Sequence, residues 1–431
     1  MKGKVVFGEF ARYAFFNVAG MLGISCYVIA DTFFVALGAG KEGLAALNFA
    51  FPPWYLMNGM TMMLGVGGAA RYSISKSPGV FAQTFYLAVI LGAAFSFAGL
   101  FLSSDIAAFM GASGECLAMT SVYLKILFAA APLFFLQTIL VFFVRNDGNP
   151  GLSMAAMVSG SFANIFLDWL FIVVFGWGIA GAAFATIISP VTSIFILRSH
   201  VARRRGVFRF FNGRMDLRRT MDVFSLGFYS LLNDAASGIC VLAFNLIVLK
   251  MAGNTGVAAY GIIANTAIVV TSVFNGIAQG LQPLASDRFG RGEIGEVRLL
   301  LRYAAGLVVI VFAAVYLSVL FFAGPLVAVY NSSGDPSLAL IAENGMRLYF
   351  LSLAFSGLNV LASVFLGAVD RGGPAFAVSF VKGIVVILPS LFILGRFFGL
   401  NGVWLAPSVS ELLTLGLSAF FVRRFFADPG R

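Results

Sequence analysis

The sequence carries very little charge. Charged residues make up 11% of its 431 residues, against about 25% in an ordinary soluble protein, whereas hydrophobic residues make up 60%. This composition excludes a disordered chain and a nucleic-acid-binding protein that acts through a basic surface. It also excludes a conventional soluble enzyme, because a surface with so few charges would not stay in solution. The lipid bilayer is the environment that suits such a chain.

Metal-binding and nucleophilic residues are equally scarce. The chain has one histidine, His200, which excludes zinc centres built on histidine and Ser-His-Asp triads. Its three cysteines, Cys26, Cys116 and Cys240, are an odd number and do not form a disulfide framework. The phosphate-binding pattern GxxxxGK[ST] is absent, so this chain does not pump by a P-loop ATPase mechanism. We therefore predict no enzymatic activity and no cofactor.

Long apolar runs take the place of these groups. Phe81–Leu102 and Leu299–Phe322 are continuously apolar, whereas the strands of a membrane barrel would alternate apolar and polar residues. Because a helix needs about 20 apolar residues to cross a bilayer, such runs predict membrane-spanning helices. Twelve spans are predicted, at residues 10–37, 44–70, 80–103, 117–144, 151–175, 179–198, 221–250, 257–284, 299–323, 338–368, 375–395 and 402–422.

The distribution of basic residues predicts the orientation of these spans. Most of the 28 Lys and Arg residues lie in one set of loops together with both termini, and the opposite loops hold little beyond Lys41 and Arg396. The basic side of a membrane protein faces the cytoplasm, so we expect both termini and the 199–220 loop to be cytoplasmic. The basic start of the chain resembles a signal peptide poorly, because Glu9 and Arg12 interrupt it. We expect a multi-pass protein of the inner membrane.

The chain also contains an internal duplication. Five small residues recur at an offset of about 213 positions: Gly40, Gly43, Ala45, Ala46 and Gly67 return as Gly253, Gly256, Ala258, Ala259 and Gly280. Parallel repeats of six spans are typical of secondary transporters. The predicted fold is an all-α polytopic membrane protein with twelve transmembrane helices in two pseudo-symmetric six-helix lobes around a central cavity. The predicted boundaries are 1–198 for the N-terminal lobe, 199–220 for a basic linker and 221–431 for the C-terminal lobe.

Polar residues inside the spans are the candidates for function, because they cost several kcal/mol in a bilayer unless they are paired or hydrated. Asp31 lies in span 1, Asn164 and Asp168 are one helical turn apart in span 5, and Thr186 is in span 6. Two carboxylates, an amide and a hydroxyl suit Na⁺. Two neighbouring carboxylates could equally hold a proton. Local capping of the span ends is the alternative interpretation.

Other polar residues in the spans form a second set of candidates, for the substrate or for a second proton: Asp234, Asn233, Gln279, Gln282, Lys125 and Lys382. For Asp234 a structural role and a contact with a cationic substrate remain equally open. The two glutamines lie at one end of span 8 and could line a gate or bond across helices. Lys125 and Lys382 could snorkel or face the cavity, and Glu411 could pair with Lys382.

Several motifs resemble the multidrug and toxic compound extrusion (MATE) family. In the first half these are Asp31-Thr-Phe-Phe-Val, Gly43-Leu-Ala-Ala-Leu-Asn-Phe-Ala-Phe-Pro52, Asn146-Asp-Gly-Asn-Pro150, Asn164-Ile-Phe-Leu-Asp168 and Gly176-Trp-Gly-Ile-Ala-Gly-Ala-Ala183. In the second half, Ala259-Tyr-Gly-Ile-Ile-Ala-Asn265 and Gly276-Ile-Ala-Gln-Gly-Leu-Gln-Pro283 look like the bacterial DinF/MepA-like branch. Together they cover essentially the whole chain.

The resemblance implies twelve helices in two lobes and drug–cation antiport by a rocker-switch motion. It also implies that Asp31, Asn164, Asp168 and Thr186 form the cation or proton site of the N-terminal lobe, and that an acidic residue near Asp234 is common in this branch. One departure concerns span 1, in which such members often have a proline. Here residues 10–37 contain none, and Gly20 and Gly23 are the candidates for flexibility instead.

These observations predict an antiporter that exports amphipathic, cationic organic compounds and is driven by H⁺ or Na⁺. Its expected partners are small organic substrates and the bilayer, it binds no nucleic acid, and it is expected to be a monomer. A lipid-linked oligosaccharide flippase of the same superfamily is one alternative, for which Lys125 and Lys382 would bind pyrophosphate. A channel or a non-transporting membrane scaffold is another. The physiological substrate and the choice between H⁺ and Na⁺ stay open at this level.

Overall fold

The computed structural model describes residues 2–204, 208, 216–330 and 336–428, and within these ranges the chain is helical and has no strand. Its α-helices are α1 (Lys2–Ser75), α2 (Pro78–Phe109), α3 (Gly114–Ala129), α4 (Ala131–Asn146), α5 (Pro150–Asp168), α6 (Gly178–Arg203), α7 (Leu217–Gly290), α8 (Ile294–Tyr330), α9 (Pro336–Phe350), α10 (Leu353–Ala368), α11 (Gly372–Phe380) and α12 (Ile387–Ala427). Two π-helices, Trp169–Val174 and Val381–Val386, follow α5 and α11.

The all-α polytopic fold is confirmed. Within the described ranges, eight helices are long and apolar enough to cross a membrane, and two bent helix pairs bring this number to ten. Predicted spans 11 and 12 both lie in the continuous stretch Gly372–Ala427, which breaks at Gly399. Predicted span 2 is the second half of α1. The twelve predicted helices are therefore all present. The predicted 199–220 linker is helical up to Arg203 and again from Leu217, and residues 205–207 and 209–215 lie outside the described part.

Two spans that were expected to be continuous helices are bent. The predicted span at 117–144 divides into α3 and α4, which meet at an angle of 52°. Pro132 lies in the first turn of α4 and has no backbone N–H to continue α3. The predicted span at 338–368 divides into α9 and α10 at 45°. There the Ser352 hydroxyl donates to the Tyr349 carbonyl at 2.6 Å and competes with the helical backbone bond.

The internal duplication extends to backbone geometry. Helix α1 breaks at Gly40 with φ 63° and ψ −153°, and α7 breaks at Gly253 with φ 61° and ψ −158°. Side chains rarely tolerate this region of φ/ψ space, so glycine is required at both positions. Gly43 packs against Ala39 and Val35, and Gly256 packs against Ala252 and Val248, which are the same contacts 213 positions later.

The chain folds into two compact units. The N-terminal unit is Ala19–Ala235, and the C-terminal unit combines Met1–Val18 with Ala236–Arg431. In the N-terminal unit, Gly67 of α1 lies against the Val223 and Gly227 backbone at the start of α7. In the C-terminal unit, Gly280 of α7 lies against the Ala14 backbone at the start of α1. Close backbone approach through glycine is the usual way in which helices pack in lipid.

Candidate ion-coupling site

Helix α1 packs along α5 and the π-helix that follows it, and this contact positions the first candidate site. Gly20 contacts Met157, Gly23 contacts Val158 and Ser161, and Gly38 contacts Ile172. The two segments therefore run in the same direction with their backbones close together. Asp31 lies between Gly23 and Gly38 on α1. It is therefore at the same level along the helix pair as the end of α5, which contains Asn164 and Asp168.

All four predicted residues of this site are buried. Their exposed fractions are 8% for Asp31, 0% for Asn164 and Asp168, and 7% for Thr186. The Thr186 hydroxyl donates to the Ala182 carbonyl at 2.9 Å, which leaves its oxygen lone pairs available. Five buried polar atoms of these residues have no hydrogen-bond partner in the described part of the chain: Asp31 Oδ1, Asn164 Oδ1, Asn164 Nδ2, Asp168 Oδ1 and Asp168 Oδ2.

Two tyrosines complete this cluster, and sequence reasoning did not find them. Tyr123 is buried and Tyr27 is half-buried, and each interacts electrostatically with Asp31 and Asp168. The Tyr123 hydroxyl also lies within hydrogen-bonding reach of Thr186. Tyr27 precedes Asp31 by one helical turn, so its spacing was a readable indication. Tyr123 comes from α3, and only the tertiary structure brings it to the site.

The residues present fit either coupling ion. Two carboxylates, an amide oxygen and a hydroxyl oxygen are hard ligands of the kind that Na⁺ prefers. A single proton shared by the carboxylates would equally remove the cost of two buried negative charges. The alternative role, in which each carboxylate caps a helix end, has no support in the contacts, because four of the five partnerless atoms are oxygens or nitrogens of Asn164 and Asp168.

Asp234 forms a separate polar pair in the N-terminal unit. It accepts a hydrogen bond from Asn58 Nδ2 on α1 at 2.8 Å, and Tyr55, one turn before Asn58, interacts with its charge. Asn58 donates only one bond to this carboxylate, so the second oxygen keeps its capacity to accept from a ligand. Neither Asn58 nor Tyr55 was a sequence candidate, because neither belongs to an ionic pattern.

The remaining candidates are distributed over both units. Asn233 is half-buried in the N-terminal unit, whereas Gln279 and Gln282 lie in the C-terminal part of α7, where Gln282 is buried. All three have interaction partners. The two lysines differ sharply. Lys125 on α3 is exposed, whereas Lys382 lies in the second π-helix with its Nζ 3.2 Å from Glu411 Oε1. The expected pairing of Lys382 with Glu411 is therefore present.

A polar network links three helices of the N-terminal unit. Asp147, which follows α4, accepts from the Tyr72 hydroxyl and from His200 Nε2, both at 2.9 Å, and lies 3.4 Å from Arg204 Nε. Burial raises the pKa of Asp147, but the bonds from His200 and Tyr72 and the Arg204 charge outweigh it. The pKa of this carboxyl consequently lies below its ordinary value. The network joins α1, α4 and α6 outside the spans.

Repeated halves and carboxylates buried inside the spans are features that are typical of secondary transporters. A family model described as MatE matches residues 18–170 and 234–392, which is more than half of the chain. The chain belongs to this family, the MATE transporters, as the sequence motifs indicated.

Relatives and solved structures agree with this assignment. The chain is 27% identical over 419 residues to the multidrug export protein MepA of Staphylococcus aureus strain MRSA252, covering 95% of this chain and 91% of that protein. It is 26% identical over 396 residues to MepA of Staphylococcus saprophyticus, covering 90% and 87%.

Among solved structures, an outward-facing multidrug resistance MATE family transporter of the MOP superfamily has a TM-score of 0.91 at 22% identity, covering 98% of this chain and 96% of that one. The crystal structure of a MATE in complex with MaL6 has a TM-score of 0.90 at 23% identity, with the same coverage. These similarities establish the fold.

Proposed function

We propose that this protein is an antiporter that exports amphipathic, cationic organic compounds in exchange for H⁺ or Na⁺. The observation that carries the proposal is the buried cluster of Asp31, Asn164 and Asp168, in which five polar atoms have no hydrogen-bond partner among the described residues. The MepA relatives, which are named multidrug export proteins, support the export of organic compounds.

Coupling follows from the cost of leaving the carboxylates charged. Two unpaired carboxylates at membrane depth are unfavourable, so the site gains free energy when it takes up a proton or a sodium ion. A ligand shifts a conformational equilibrium only by its differential affinity for the two states. We therefore propose that the coupling ion favours one conformation of alternating access and that the organic substrate favours the other.

Asp234 is the proposed contact for the positive charge of the substrate. Asn58 holds one of its oxygens, and the carboxylate is the acidic group of this part of α7. A second proton at Asp234 is the other role open to it. Asn233, beside it, and the pair Gln279 and Gln282 are proposed to contribute amide groups to the substrate path. The same proposal takes the protein as a monomer of the inner membrane with both termini cytoplasmic.

The distribution of lysines favours an antiporter over a lipid-linked oligosaccharide flippase. A pyrophosphate site needs several free cations around one cavity. Lys382 is a single cation that is paired with Glu411, and Lys125 is exposed on α3. The carboxylates, by contrast, are buried and have partnerless oxygens.

The decisive experiment is transport of a cationic dye by the purified protein in proteoliposomes under separately imposed proton and sodium gradients. We expect wild-type protein to move the dye under one of the two gradients. Asp31→Asn and Asp168→Asn should lower gradient-driven transport at least about tenfold, because an amide neither takes up a proton nor neutralises a cation. Asp105→Asn, on the exposed surface of α2, is the matched control and should transport normally. Full gradient-driven transport in both site variants would contradict the coupling role, and substrate-independent single-channel currents would favour a channel.

A further inference from the structure

The Lys382–Glu411 ion pair is a second charged site, and it lies entirely in the C-terminal unit. Lys382 Nζ is 3.2 Å from Glu411 Oε1, and the side chains are 20% and 10% exposed. An ion pair inside membrane-spanning helices is weak evidence of stabilisation, because removing both charges from water costs much of what their attraction returns. An ionisable pair at this depth therefore points to a functional role.

The two partners of the pair are held very differently. Glu411 is fixed: its second oxygen accepts from Asn359 Nδ2 at 2.7 Å, and its backbone carbonyl accepts from the same amide at 2.8 Å. Asn359 is fixed in turn, because its own oxygen accepts from the Ser418 hydroxyl at 2.7 Å. The Lys382 ammonium has three donors, and Glu411 is its one side-chain partner among the described residues. It therefore keeps donors for a second anion, whereas Glu411 keeps Asn359 when the lysine moves.

The backbone around Lys382 is also unusual. Lys382 is the second residue of the π-helix Val381–Val386, and the π-helix Trp169–Val174 begins directly after Asp168. In the part of the chain that the structure describes, both π-helices thus adjoin an ionisable residue of a span. Single π-turns inside helices occur frequently at functional sites. The ionisable group at the π-helix is the carboxylate of Asp168 in the N-terminal unit and the ammonium of Lys382 in the C-terminal unit.

The π-helix around Lys382 is in close contact with α7. A side chain at Gly383 would collide with Ala236, and the Cys240 thiol donates to the Gly383 carbonyl at 3.4 Å. The Ser410 hydroxyl, adjacent to Glu411, donates to the Lys382 carbonyl at 3.4 Å. These contacts hold the backbone of Lys382 in place. Movement at this site is therefore movement of the Lys382 side chain and its ammonium group.

We propose that Lys382 is a binding site for an anionic group, a carboxylate or a sulfonate, of the exported amphipathic compound. This inference rests on the proposed export function and adds a substrate class to it: compounds that carry an acid group as well as their cationic and apolar parts. On binding, the Lys382 ammonium exchanges the Glu411 carboxylate for the acid of the substrate, and Asn359 continues to hold Glu411.

The test compares two dyes that differ by one charge: a rhodamine with a free carboxylate and the methyl ester of the same rhodamine. Transport of each is measured in proteoliposomes with wild-type protein, Lys382→Gln, Lys382→Arg and the double variant Lys382→Gln with Glu411→Gln. The double variant has no unpaired buried charge, so that it separates loss of binding from loss of folding. Lys125→Gln is the matched control, because it makes the same change at an exposed lysine.

We expect wild-type protein and Lys125→Gln to transport both dyes. Lys382→Gln and the double variant should transport the acid dye at least about tenfold more slowly and the ester within about twofold of wild type. Lys382→Arg should keep acid transport, because it keeps the positive charge. Wild-type acid transport in the double variant would overturn the inference, and so would an equal loss of both dyes or a wild-type protein that moves only the ester. A wild-type protein that moves neither dye would overturn the proposed function itself.

Discussion

At the scale of single residues, two buried clusters show how a membrane protein handles polar groups that water does not reach. Asp31, Asn164 and Asp168 are buried with partnerless atoms, whereas Glu411 is satisfied on both oxygens by Lys382 and Asn359. A partnerless buried carboxylate is costly, so that it is retained where binding of an ion repays the cost. A carboxylate with partners for both oxygens, such as Glu411, is instead held in place while a neighbouring group such as the Lys382 ammonium moves.

Asp147 illustrates a satisfied carboxylate outside the spans, and its stabilising contribution should depend on pH. Because its pKa is lower in the folded protein, the stability that it contributes is present above the ordinary carboxyl pKa of about 3.9 and is lost as the pH falls through the lower folded value. Asp147→Asn should lower the free energy of unfolding at pH 7 by about 1–3 kcal/mol, since it removes a charge that Tyr72, His200 and Arg204 surround.

Thermal unfolding of the detergent-solubilised protein measures this effect. The difference between wild type and Asp147→Asn should shrink as the pH falls below about pH 4. Tyr72→Phe is the control, because it removes a hydrogen bond and keeps the titrating carboxyl. A difference that grows as the pH falls below about pH 4 would show that the sign of the shift is wrong.

At the scale of secondary-structure elements, glycine determines which helices approach closely. Gly67 on α1 and Gly227 on α7 face one another's helices, and a side chain at either would meet a backbone carbonyl, of Val223 and Met63 respectively. A carbonyl in a helix cannot move aside without breaking the helix. This contact attaches the start of α7 to the N-terminal unit, where Asp234, two helical turns after Gly227, accepts a hydrogen bond from Asn58.

Gly227→Ala should therefore destabilise the protein strongly, by about 3 kcal/mol or more, because overpacking against backbone cannot be relieved by a rotamer change. Gly306→Ala on α8 is the matched control. Its added methyl group meets no atom within 4 Å, and alanine favours a helix over glycine by up to about 1 kcal/mol. We expect a much lower unfolding temperature for Gly227→Ala and an unchanged or higher one for Gly306→Ala. Equal unfolding temperatures for the two variants would refute this account of the contact.

The bends of the spans at 117–144 and 338–368 belong to the same scale, and the sequence analysis predicted neither of them. Pro132 was a readable reason for the break between α3 and α4, yet the apolar run 117–144 was assigned to one span. The break before α10 depends on the Ser352 hydroxyl and its bond to the Tyr349 carbonyl, which is a choice of rotamer that hydropathy does not register. The pattern of apolar residues indicates which segments lie in lipid. It does not change when one turn of the backbone departs from α-helical geometry.

At the scale of the whole molecule, the duplication is the dominant feature. The two helix breaks at Gly40 and Gly253 have nearly the same φ and ψ values, and the small residues beside them repeat their contacts. The compact units do not coincide with the two sequence halves, because the segment up to Val18 belongs with the C-terminal unit and the start of α7 belongs with the N-terminal unit. The lobe boundaries at 198 and 221 describe the repeat in the sequence and stay a prediction for the transporting lobes.

If the halves are structural repeats, Gly40→Ala and Gly253→Ala should have the same effect. A methyl group at Gly253 meets no atom within 4 Å, and one at Gly40 makes only an ordinary contact with Glu42 Oε2 at 3.6 Å, so the cost is that of the backbone conformation, about 1–3 kcal/mol each. Gly261→Ala, on the same helix as Gly253, is the control, since it also has open space but an ordinary helical φ. Thermal unfolding should show equal losses for the first two variants and none for the third. A clear loss at one glycine alone would mean that the repeat is not maintained in the fold.

The sequence by itself determined that this is a membrane protein of twelve helices, that its halves repeat, and that its family is MATE. These properties depend on composition, on the length of apolar runs and on local motifs, each of which is present in the order of the residues. It also located Asp31, Asn164, Asp168 and Thr186, because charge inside an apolar run is conspicuous. Only the tertiary structure decided that Tyr123 joins these groups, that Asn58 bonds to Asp234, that Lys382 is paired and Lys125 is exposed, and that Asn164 and Asp168 have no hydrogen-bond partner among the described residues. The physical reason is that the cost of a buried polar group depends on what lies beside it in space, and neighbours from distant helices are not encoded in any local pattern.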